Sequence, residues 1–249
     1  MNEIYKNISN SVQTGKKLLA VLIDPDKVKV EELSGFMAKV NDSIANYIFV
    51  GGSAVKEKDC DLVVSEIKKH TRLPIVLFPG DITQITNKAD ALLFLSLISG
   101  RNPDYLIDKH VQSISKLKQT SLEVIPTGYI LIENGKETSV QKVTKTLPIP
   151  RKNLKIIVDT AYAGQLLGLK LIYLEAGSGA TEPVTSEIIN KVKKNLKIPL
   201  IVGGGIKSVK QLSDAYNSGA DLVVIGTAFE EDISFFKELK KMDLNTFRR

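Results

Sequence analysis

The sequence contains no tryptophan and only one cysteine, and aromatic residues make up 6% of its 249 positions. A single cysteine, Cys60, excludes an internal disulfide and is typical of a reducing compartment. No apolar run reaches the roughly 20 residues of a membrane-spanning helix, and the first residues lack the apolar segment of a signal peptide. These absences predict a cytoplasmic protein.

Histidine is also scarce, with His70 and His110 alone, both in lysine-rich helical stretches. We expect both on the surface, which argues against a histidine-based mechanism. The net charge is +6, but the lysines are scattered and no basic segment is interleaved with aromatic residues. Nucleic-acid binding is therefore not expected, whereas a phosphorylated substrate or an anionic lipid would suit the charge.

Eight segments have the composition of buried strands. Most are continuous apolar runs, as is usual for parallel strands that are covered on both faces. They are Leu18–Ile23, Tyr47–Val50, Ile75–Phe78, Ala91–Leu97, Glu123–Pro126 (with an extension to Gly128 left open), Leu171–Glu175, Leu200–Val202 and Leu222–Ile225.

Stretches with helical periodicity separate these strands, which indicates βα units with right-handed crossovers. They are Val28–Val40, Lys56–Lys69, Pro103–Lys118, Ser186–Asn195, Val209–Asn217 and Ile233–Lys240. Eight units in one chain predict a single-domain (β/α)8 TIM barrel over residues 1–249. The alternative is an open doubly wound sheet, but Asp24-Pro-Asp-Lys27 follows the first strand in place of a G-x-G-x-x-G turn.

Two regions fit the barrel pattern less simply. Residues 129–155 form an insertion rich in Lys, Thr and Pro, whose length indicates a lid or a subunit contact. Leu154–Asp159 has a strand-like composition, but a closed barrel has no place for a ninth strand. We therefore interpret it as the start of a helix that continues to Leu167.

The last three strands all end in small residues. Glu175 and the loop Ala176–Ala180 follow the sixth strand, Gly203–Gly205 end the seventh, and Gly226-Thr227 end the eighth. Consecutive glycines allow backbone N–H groups to converge on an anion, and a helix N-terminus adds positive potential. We predict a phosphate site here, as barrels often have after strands seven and eight. The alternative is that these glycines only make tight turns.

Oxygen ligands follow the first two strands. Asp24 comes directly after the first strand, and Gly51-Gly52-Ser53 follow the second. Mg²⁺ is commonly held by one or two protein oxygens, with water and substrate phosphate completing its shell. Asp24 and Ser53 would suffice beside a diphosphate, although an Asp before Pro is also a common device for entering a turn or helix.

Glu175 is the candidate general base. An apolar strand and a glycine loop flank it, and partial burial would raise its pKa towards the working pH. The alternative is that Glu175 only caps its own loop. Cys60 has no neighbour that would activate it as a nucleophile.

Several segments, in this order over nearly the whole chain, resemble the geranylgeranylglyceryl phosphate synthase family, which includes the bacterial heptaprenylglyceryl phosphate synthases. They are Ala20–Lys27, Val50–Ser53, Leu77–Gly80, Phe94–Pro103, Pro126–Tyr129, Tyr173–Gly179 and Val202–Ile206. The resemblance implies a (β/α)8 prenyltransferase that joins sn-glycerol 1-phosphate to a polyprenyl diphosphate, with geranylgeranyl diphosphate expected, using Mg²⁺.

The resemblance also implies roles for individual residues. Asp24 and Ser53 match the Mg²⁺ ligands, and Glu175 matches the acid beside the glycerol hydroxyl, with Tyr129 as a second catalytic candidate. The glycerol-phosphate site comprises Tyr173, Leu174, Glu175, Ala176, Gly177, Ser178, Gly179, Gly203, Gly204, Gly205, Gly226 and Thr227. The family's short branch has a lysine where this chain has Leu22, which favours the longer branch and leaves open whether Lys27 or another cation compensates.

The prenyl tail requires an apolar groove, for which Leu92–Ile98, Tyr105 and Tyr129 are candidates. The resemblance implies a homo-oligomer, a dimer or a hexamer, and release of a lipid product suggests peripheral contact with a membrane. Two other functions stay open: a phosphosugar isomerase or synthase on the same barrel without a prenyl substrate, and a non-catalytic basic protein.

Overall fold

Eight parallel strands form a closed barrel in the order β1 to β8. The computed structural model describes residues 3–52, 57–226, 235, 238–242 and 244–247. The strands are β1 (Leu18–Ile23), β2 (Tyr47–Val50), β3 (Ile75–Leu77), β4 (Ala91–Leu97), β5 (Glu123–Leu131), β6 (Leu171–Glu175), β7 (Leu200–Gly203) and β8 (Leu222–Ile225). β8 pairs in parallel with β1, with Leu18 opposite Leu222. This closure confirms the predicted (β/α)8 barrel and excludes the open sheet.

Helices surround the barrel. Within the described ranges they are α1 (Glu3–Thr14), α2 (Leu33–Asn41), α3 (Glu57–His70), α4 (Asp108–Leu117), α5 (Ser139–Thr144), α6 (Leu154–Leu166), α7 (Ser186–Asn195) and α8 (Val209–Ser218). Short 3₁₀ turns lie at Val30–Glu32, Ile82–Gln84, Pro103–Tyr105 and Leu244–Phe247. Among these helices, none combines the length and the apolar character that crossing a bilayer would demand.

The alternation of side chains along each strand produces two apolar cores. One core fills the barrel axis and includes Phe49, Leu93 and Tyr173. The other lies between the strands and the helices and includes Ile48 and Leu174. In β6 the side chains of Tyr173 and Glu175 therefore share one face and that of Leu174 points to the other.

Strand β5 is longer than predicted. It continues to Leu131 because it pairs in register with β6 on that side, with Tyr129 opposite Tyr173 and Leu131 opposite Glu175. Tyr129, which we expected to begin the insertion, is therefore a barrel residue. The connection that departs from a simple βα unit begins at Ile132, and it contains α5.

Helix α6 confirms the interpretation of the strand-like segment after Leu154. The Asn153 side chain accepts a hydrogen bond from the Ile156 N–H and so caps the N-terminus of α6. Of the helix predicted over Ile233–Lys240, most residues lie outside the described part of the chain.

Helix α1 was not predicted. Its first N–H groups, those of Ile4 and Tyr5, donate to the Glu123 carboxylate at 2.8 and 2.9 Å. A carboxylate at a helix N-terminus satisfies free N–H groups and complements the helix dipole. Since Glu123 lies about 120 residues away along the chain, this cap has no local signal, although the buried Ile4, Ile8 and Ser11 have the spacing of one helix face.

Candidate active site

A cavity of about 560 Å³ opens at the carboxyl ends of the strands. Residues from all eight strands, or from the loops that follow them, line it. One part is polar and rich in glycine, and includes Asp24, Glu175 and Gly204. The other part is apolar and extends between β4 and helix α4, where Phe94 and Tyr105 line it. The cavity thus suits two ligands, or one composite ligand, with an anionic group in the polar part and a long apolar chain in the apolar part.

Glu175 lies at the end of β6 with 6% of its surface exposed. Its Oε1 accepts a hydrogen bond of 2.6 Å from the Gly177 N–H. Burial raises the pKa of Glu175 to about 7, although the Gly177 N–H and the Tyr173 hydroxyl both favour the charged carboxylate. A carboxylate with a pKa near neutrality can accept a proton at the pH of the cell.

Two tyrosines lie beside Glu175 on the barrel axis. Burial, and then the charge of Glu175, raise the pKa of both Tyr129 and Tyr173 well above the usual value. Both phenols are therefore protonated at neutral pH and can donate hydrogen bonds but not remove protons. The Tyr173 hydroxyl is buried and has no partner with hydrogen-bond geometry, although it is close enough to influence the Glu175 carboxylate.

Phe78 completes an aromatic cluster with these tyrosines. Its ring centroid lies 5.8 Å from that of Tyr129 and 5.3 Å from that of Tyr173, and the two tyrosine rings are 5.4 Å apart. The three rings come from different strands or strand ends and all line the cavity. We call Phe78, Tyr129 and Tyr173 the aromatic cluster.

The glycines after β6 and β7 allow backbone to approach the Glu175 carboxylate. A Cβ on Gly204 would lie 2.3 Å from Oε1 of Glu175, and the φ of Gly204 is +83°. A Cβ on Gly203 would lie 2.3 Å from the Tyr173 hydroxyl oxygen. Gly204 is therefore required both for its conformation and for the space it leaves, and Gly203 for the space alone.

The residues after β8 are less constrained. A Cβ on Gly226 would meet Leu22 at an ordinary contact distance of 3.7 Å. Gly226 and Gly205 both line the cavity. Thr227 lies outside the described residues.

Asp24 faces the cavity on the side of β1. Its Oδ1 accepts a hydrogen bond of 3.2 Å from the Asp26 N–H, and its Oδ2 is 3.3 Å from Nζ of Lys27. Lys27 Nζ also donates to Oγ of Ser178 at 3.2 Å. The Lys27 ammonium group therefore connects the loop after β1 with the loop after β6.

Gln84 fixes the loop after β2. Its side chain is 1% exposed, and its Nε2 donates to the Gly52 carbonyl at 2.7 Å. Its Oε1 accepts from the N–H groups of Gly80 and Gly52 at 3.2 and 3.4 Å. Gly52 in turn packs against Asp24, since a Cβ on Gly52 would lie 2.6 Å from Oδ1 of Asp24. Ser53, the second predicted ligand, lies outside the described residues.

The connection after β5 forms a wall of the cavity. The Asn134 side chain donates to the Ala176 carbonyl, and Thr138 packs on Gly177, whose Cβ would lie 2.5 Å from Cγ2 of Thr138. Thr138 also caps helix α5 through a reciprocal capping box with Gln141. This segment is therefore fixed to the loop that carries Glu175.

Most of the residues predicted for an apolar groove line this part of the cavity, namely Leu92, Leu93, Phe94, Leu95, Leu97, Tyr105 and Tyr129. His110 was predicted on the surface, which is wrong. It is half-buried in the cavity wall, its Nε2 is 3.1 Å from Oγ of Ser96, and its ring packs edge-on against Phe94 at 4.5 Å. Burial lowers the pKa of His110, so a neutral ring contacts this part of the cavity.

The predicted site residues fall into two groups, those that line the cavity and those whose side chains point away from it. The cavity brings together Asp24, Tyr129, Tyr173, Glu175, Gly177, Ser178, Gly179, Gly204, Gly205 and Gly226. The Leu174 side chain packs in the outer core instead, because its neighbours in β6 point inward. Ala176 and Gly203 pair with each other through their backbone, because the Ala176 N–H donates to the Gly203 carbonyl.

Sequence reasoning missed Gln84, Asn134 and Thr138. Gln84 and Asn134 hydrogen-bond to backbone of another loop, and Thr138 packs on Gly177; no spacing rule connects residues that meet only in the folded barrel. The local signal at Thr138 is its capping box with Gln141. The Asp81 side chain that caps the 3₁₀ turn at Ile82–Gln84 is the one local signal near Gln84.

Comparison with known proteins gives consistent results. Residues 12–243 match the PcrB family. The chain is 55% identical over 236 residues to the geranylgeranylglyceryl phosphate synthase of Flavobacterium johnsoniae, covering 95% of this chain and 97% of that protein. It is 41% identical over 243 residues to the synthase of Pyrococcus abyssi, covering 97% and 94% of the two chains.

A solved structure has the same fold over the same extent. The (S)-3-O-geranylgeranylglyceryl phosphate synthase of Thermoplasma acidophilum, crystallised with its substrate sn-glycerol-1-phosphate, superposes with a TM-score of 0.90 at 30% identity. The match covers 98% of each chain.

Proposed function

The chain belongs to the PcrB family, and we propose that it is a prenyltransferase that joins sn-glycerol 1-phosphate to a polyprenyl diphosphate. The products are a prenylglyceryl phosphate ether and pyrophosphate. Relatives that are named geranylgeranylglyceryl phosphate synthase align with nearly the whole chain. The observation that carries the proposal is the position of Glu175, a buried carboxylate with a pKa of about 7 where glycine loops meet an apolar cavity.

The reaction forms one C–O bond and breaks another. The C3 hydroxyl oxygen of glycerol phosphate attacks C1 of the allylic diphosphate, the C1–O bond to the diphosphate breaks, and its electron pair leaves with pyrophosphate. Glu175 accepts the hydroxyl proton at its carboxylate. Because the pKa of Glu175 is near 7, the carboxylate is ionised in a large fraction of the molecules at neutral pH. It is also a stronger base than a carboxylate with an ordinary pKa.

The loops after β6, β7 and β8 orient the nucleophile. Gly177 and Gly204 have φ values of +100° and +83°, a conformation in which successive N–H groups can face one anion. Phosphate bound there fixes the distance from the phosphorus to the C3 hydroxyl and so places that hydroxyl near Glu175. Such positioning replaces a bimolecular encounter by a pre-oriented one.

The residues at the mouth fit a hard divalent cation, and Mg²⁺ is the proposed cofactor. Asp24 offers a carboxylate to the cavity, and Ser53 would add a hydroxyl. Among the described residues no three His, Cys, Asp or Glu side chains form a metal cluster, so the remaining ligands would come from water and diphosphate, as Mg²⁺ prefers. When bound, Mg²⁺ would neutralise charge on the departing pyrophosphate.

The apolar part of the cavity is the proposed site of the prenyl tail. Phe94, Leu95 and Tyr105 line it, and an isoprenoid chain would gain free energy from leaving water there. A geranylgeranyl tail is the expected substrate. A phosphosugar isomerase would have no use for this apolar extension.

Contacts with other molecules extend the proposal. The start of helix α4 exposes three apolar side chains with i, i+4, i+7 spacing: the N-cap residue Ile107 at 55%, and Val111 and Ile114 within the helix at 63% and 41%. This unpartnered face supports a homo-oligomer, a dimer or a hexamer. Leu147, which is 81% exposed after helix α5, supports a peripheral membrane contact for product release.

Incubation with sn-glycerol 1-phosphate, labelled geranylgeranyl diphosphate and Mg²⁺ tests the function. We expect label in an organic-extractable phosphate ester together with stoichiometric pyrophosphate. Absence of product with diphosphates of every chain length, from a protein that binds glycerol phosphate, would favour a phosphosugar enzyme. Absence of both turnover and binding would refute each enzymatic function.

A further inference from the structure

Lys27 occupies a position between the two substrate-binding regions of the proposed site. Its Nζ is 3.3 Å from Oδ2 of Asp24, on the metal side, and 3.2 Å from Oγ of Ser178, on the glycerol-phosphate side. Both loops line the same cavity, as does Lys27. One ammonium group therefore contacts two sites that belong to different reactants.

A tight turn directs the Lys27 side chain to this position. The Lys27 N–H donates to the Asp24 carbonyl at 2.9 Å, so the chain reverses within Asp24–Lys27. The Lys27 side chain is 45% exposed, whereas the structural pair of Lys193 and Asp221 is only 17% and 6% exposed. A hydrated ammonium can exchange partners at small cost, because no buried charge is left unpaired.

We propose that Lys27 is a phosphate-binding residue of the glycerol 1-phosphate site, and that its ion pair with Asp24 couples this site to the metal site. The inference rests on the function proposed above. When Asp24 is engaged by a divalent cation, Lys27 loses its carboxylate partner and is repelled by the added charge. Its remaining contact, Ser178, keeps the ammonium beside the glycine loop, where it can pair with phosphate.

The coupling must act in both directions. If metal binding at Asp24 strengthens glycerol-phosphate binding, then glycerol phosphate strengthens metal binding by the same factor. Other cations contribute to the same region: Lys207 lines the cavity, and Lys136 Nζ lies 3.4 Å from where a Cβ on Gly179 would be. Loss of Lys27 should therefore weaken phosphate binding without abolishing it.

Calorimetric binding of glycerol 1-phosphate, with and without Mg²⁺, tests this inference. We expect Lys27→Met to weaken binding about tenfold and to remove the effect of Mg²⁺. Asp24→Asn frees Lys27, so it should bind glycerol phosphate without Mg²⁺ about fivefold more tightly than the unmodified protein. Lys27→Arg keeps the charge and should retain most of the affinity, and circular dichroism checks the fold of each variant.

Lys29→Met is the matched control. Lys29 lies two residues further on, pairs with Glu32 at 3.1 Å and is 68% exposed. Replacing Lys29 by methionine removes one positive charge, as Lys27→Met does. Equal affinities for Lys27→Met and Lys29→Met would overturn the inference, and so would weaker binding by Asp24→Asn. A third titration uses inorganic pyrophosphate with Mg²⁺: if Lys27→Met loses affinity for that anion alone, Lys27 serves the leaving group and the inference is wrong.

The proposed function and this inference fail in different ways. An unmodified protein that neither binds glycerol phosphate nor forms product refutes the function. An unmodified protein that does both, while Lys27→Met binds glycerol phosphate normally, refutes only the role of Lys27.

Discussion

Oε1 of Glu175 accepts a 2.6 Å hydrogen bond from the backbone N–H of Gly177, two residues further along the same loop. This bond turns the carboxylate towards the loop that would hold phosphate, while burial raises its pKa to about 7. The loop that would bind the phosphate of glycerol phosphate thus also holds the carboxylate that would take the proton from its hydroxyl.

The first prediction concerns activity and pH. Since Glu175 must be deprotonated to act as a base, kcat/KM should fall about tenfold per pH unit below pH 7 and level off above it. Glu175→Gln keeps the bond to Gly177 but cannot take a proton, and should lower kcat by about 10²- to 10⁴-fold with similar affinity for glycerol phosphate. Steady-state kinetics between pH 5.5 and 9 measure both, and a flat profile would contradict the assignment.

The second prediction concerns stability. The pKa of Glu175 is higher in the folded protein than the ordinary value of 4.5, so the folded state binds more protons between the two values. Its stability therefore falls as the pH rises from 4.5 to about 7. Above pH 7, Glu175→Gln should raise the free energy of unfolding by on the order of 3 kcal/mol.

Denaturant unfolding at pH 8 and pH 5 measures this difference. The advantage of Glu175→Gln should be large at pH 8 and small at pH 5. A variant that is less stable than the unmodified protein at pH 8 would show that the carboxylate is stabilised by its contacts rather than strained by burial.

The third prediction compares two glycines with similar backbone. Gly204 and Gly135 have φ values of +83° and +88°, but a Cβ on Gly135 would meet nothing within 4 Å. Both alanine variants should lose about 1–2 kcal/mol of stability from the backbone alone. Gly204→Ala should also displace Glu175 and reduce kcat/KM by about 10²-fold, whereas Gly135→Ala should keep its activity. Equal activities for the two variants would exclude the close approach to Glu175 as a requirement.

The fourth prediction concerns Gln84 as a positioning residue for the metal loop. Gln84→Met leaves the N–H groups of Gly52 and Gly80 without their buried partner, and each such loss costs about 1–3 kcal/mol. The concentration of Mg²⁺ for half-maximal activity should rise about tenfold with an unchanged KM for glycerol phosphate. Mn²⁺ binding in the presence of pyrophosphate gives a readout that is independent of turnover.

Thr83→Ala is the control for Gln84, because Thr83 is the exposed neighbour in the same 3₁₀ turn. If both variants respond to Mg²⁺ alike, or if Gln84→Met changes only thermal stability, Gln84 supports the fold and not the metal loop.

The fifth prediction concerns assembly. Val111→Lys places a charge in the exposed face formed by Ile107, Val111 and Ile114, and should reduce the mass measured by light scattering. Gln112→Lys makes the same change of charge one residue along, outside this face, and should leave the mass unaltered. An unchanged mass for both variants would show that this face of α4 is not part of the oligomer interface.

The sequence predicted most of the architecture because parallel barrel strands are continuous apolar runs that helical stretches separate. β1, β2, β4, β6 and β8 have the predicted bounds. β5 was predicted too short because its final residues are held by pairing with β6, a partner 44 residues away. Helix α1 was missed although Ile4 and Ile8 have helical spacing, and its N-terminal partner, Glu123, could not be predicted from the local sequence.

The site followed the same division. Glu175, Asp24 and the glycines could be predicted because each ends a strand, and strand ends meet at one edge of a barrel. His110 could not, since a helical lysine-rich segment gives no sign that one of its side chains turns inward to Ser96. Leu174 was included only as part of a continuous motif, and strand alternation removes its side chain from the cavity.

The aromatic cluster has a consequence for chemical fidelity. An allylic carbon that loses pyrophosphate reacts with whichever oxygen reaches it first, and bulk water would convert the diphosphate into a useless alcohol. Rings within 5.3 to 5.8 Å of one another occupy the space on the barrel axis that such solvent would need. In the proposed reaction, filling that space with Phe78, Tyr129 and Tyr173 would leave the immobilised hydroxyl as the nucleophile and keep the isoprenoid from hydrolysis.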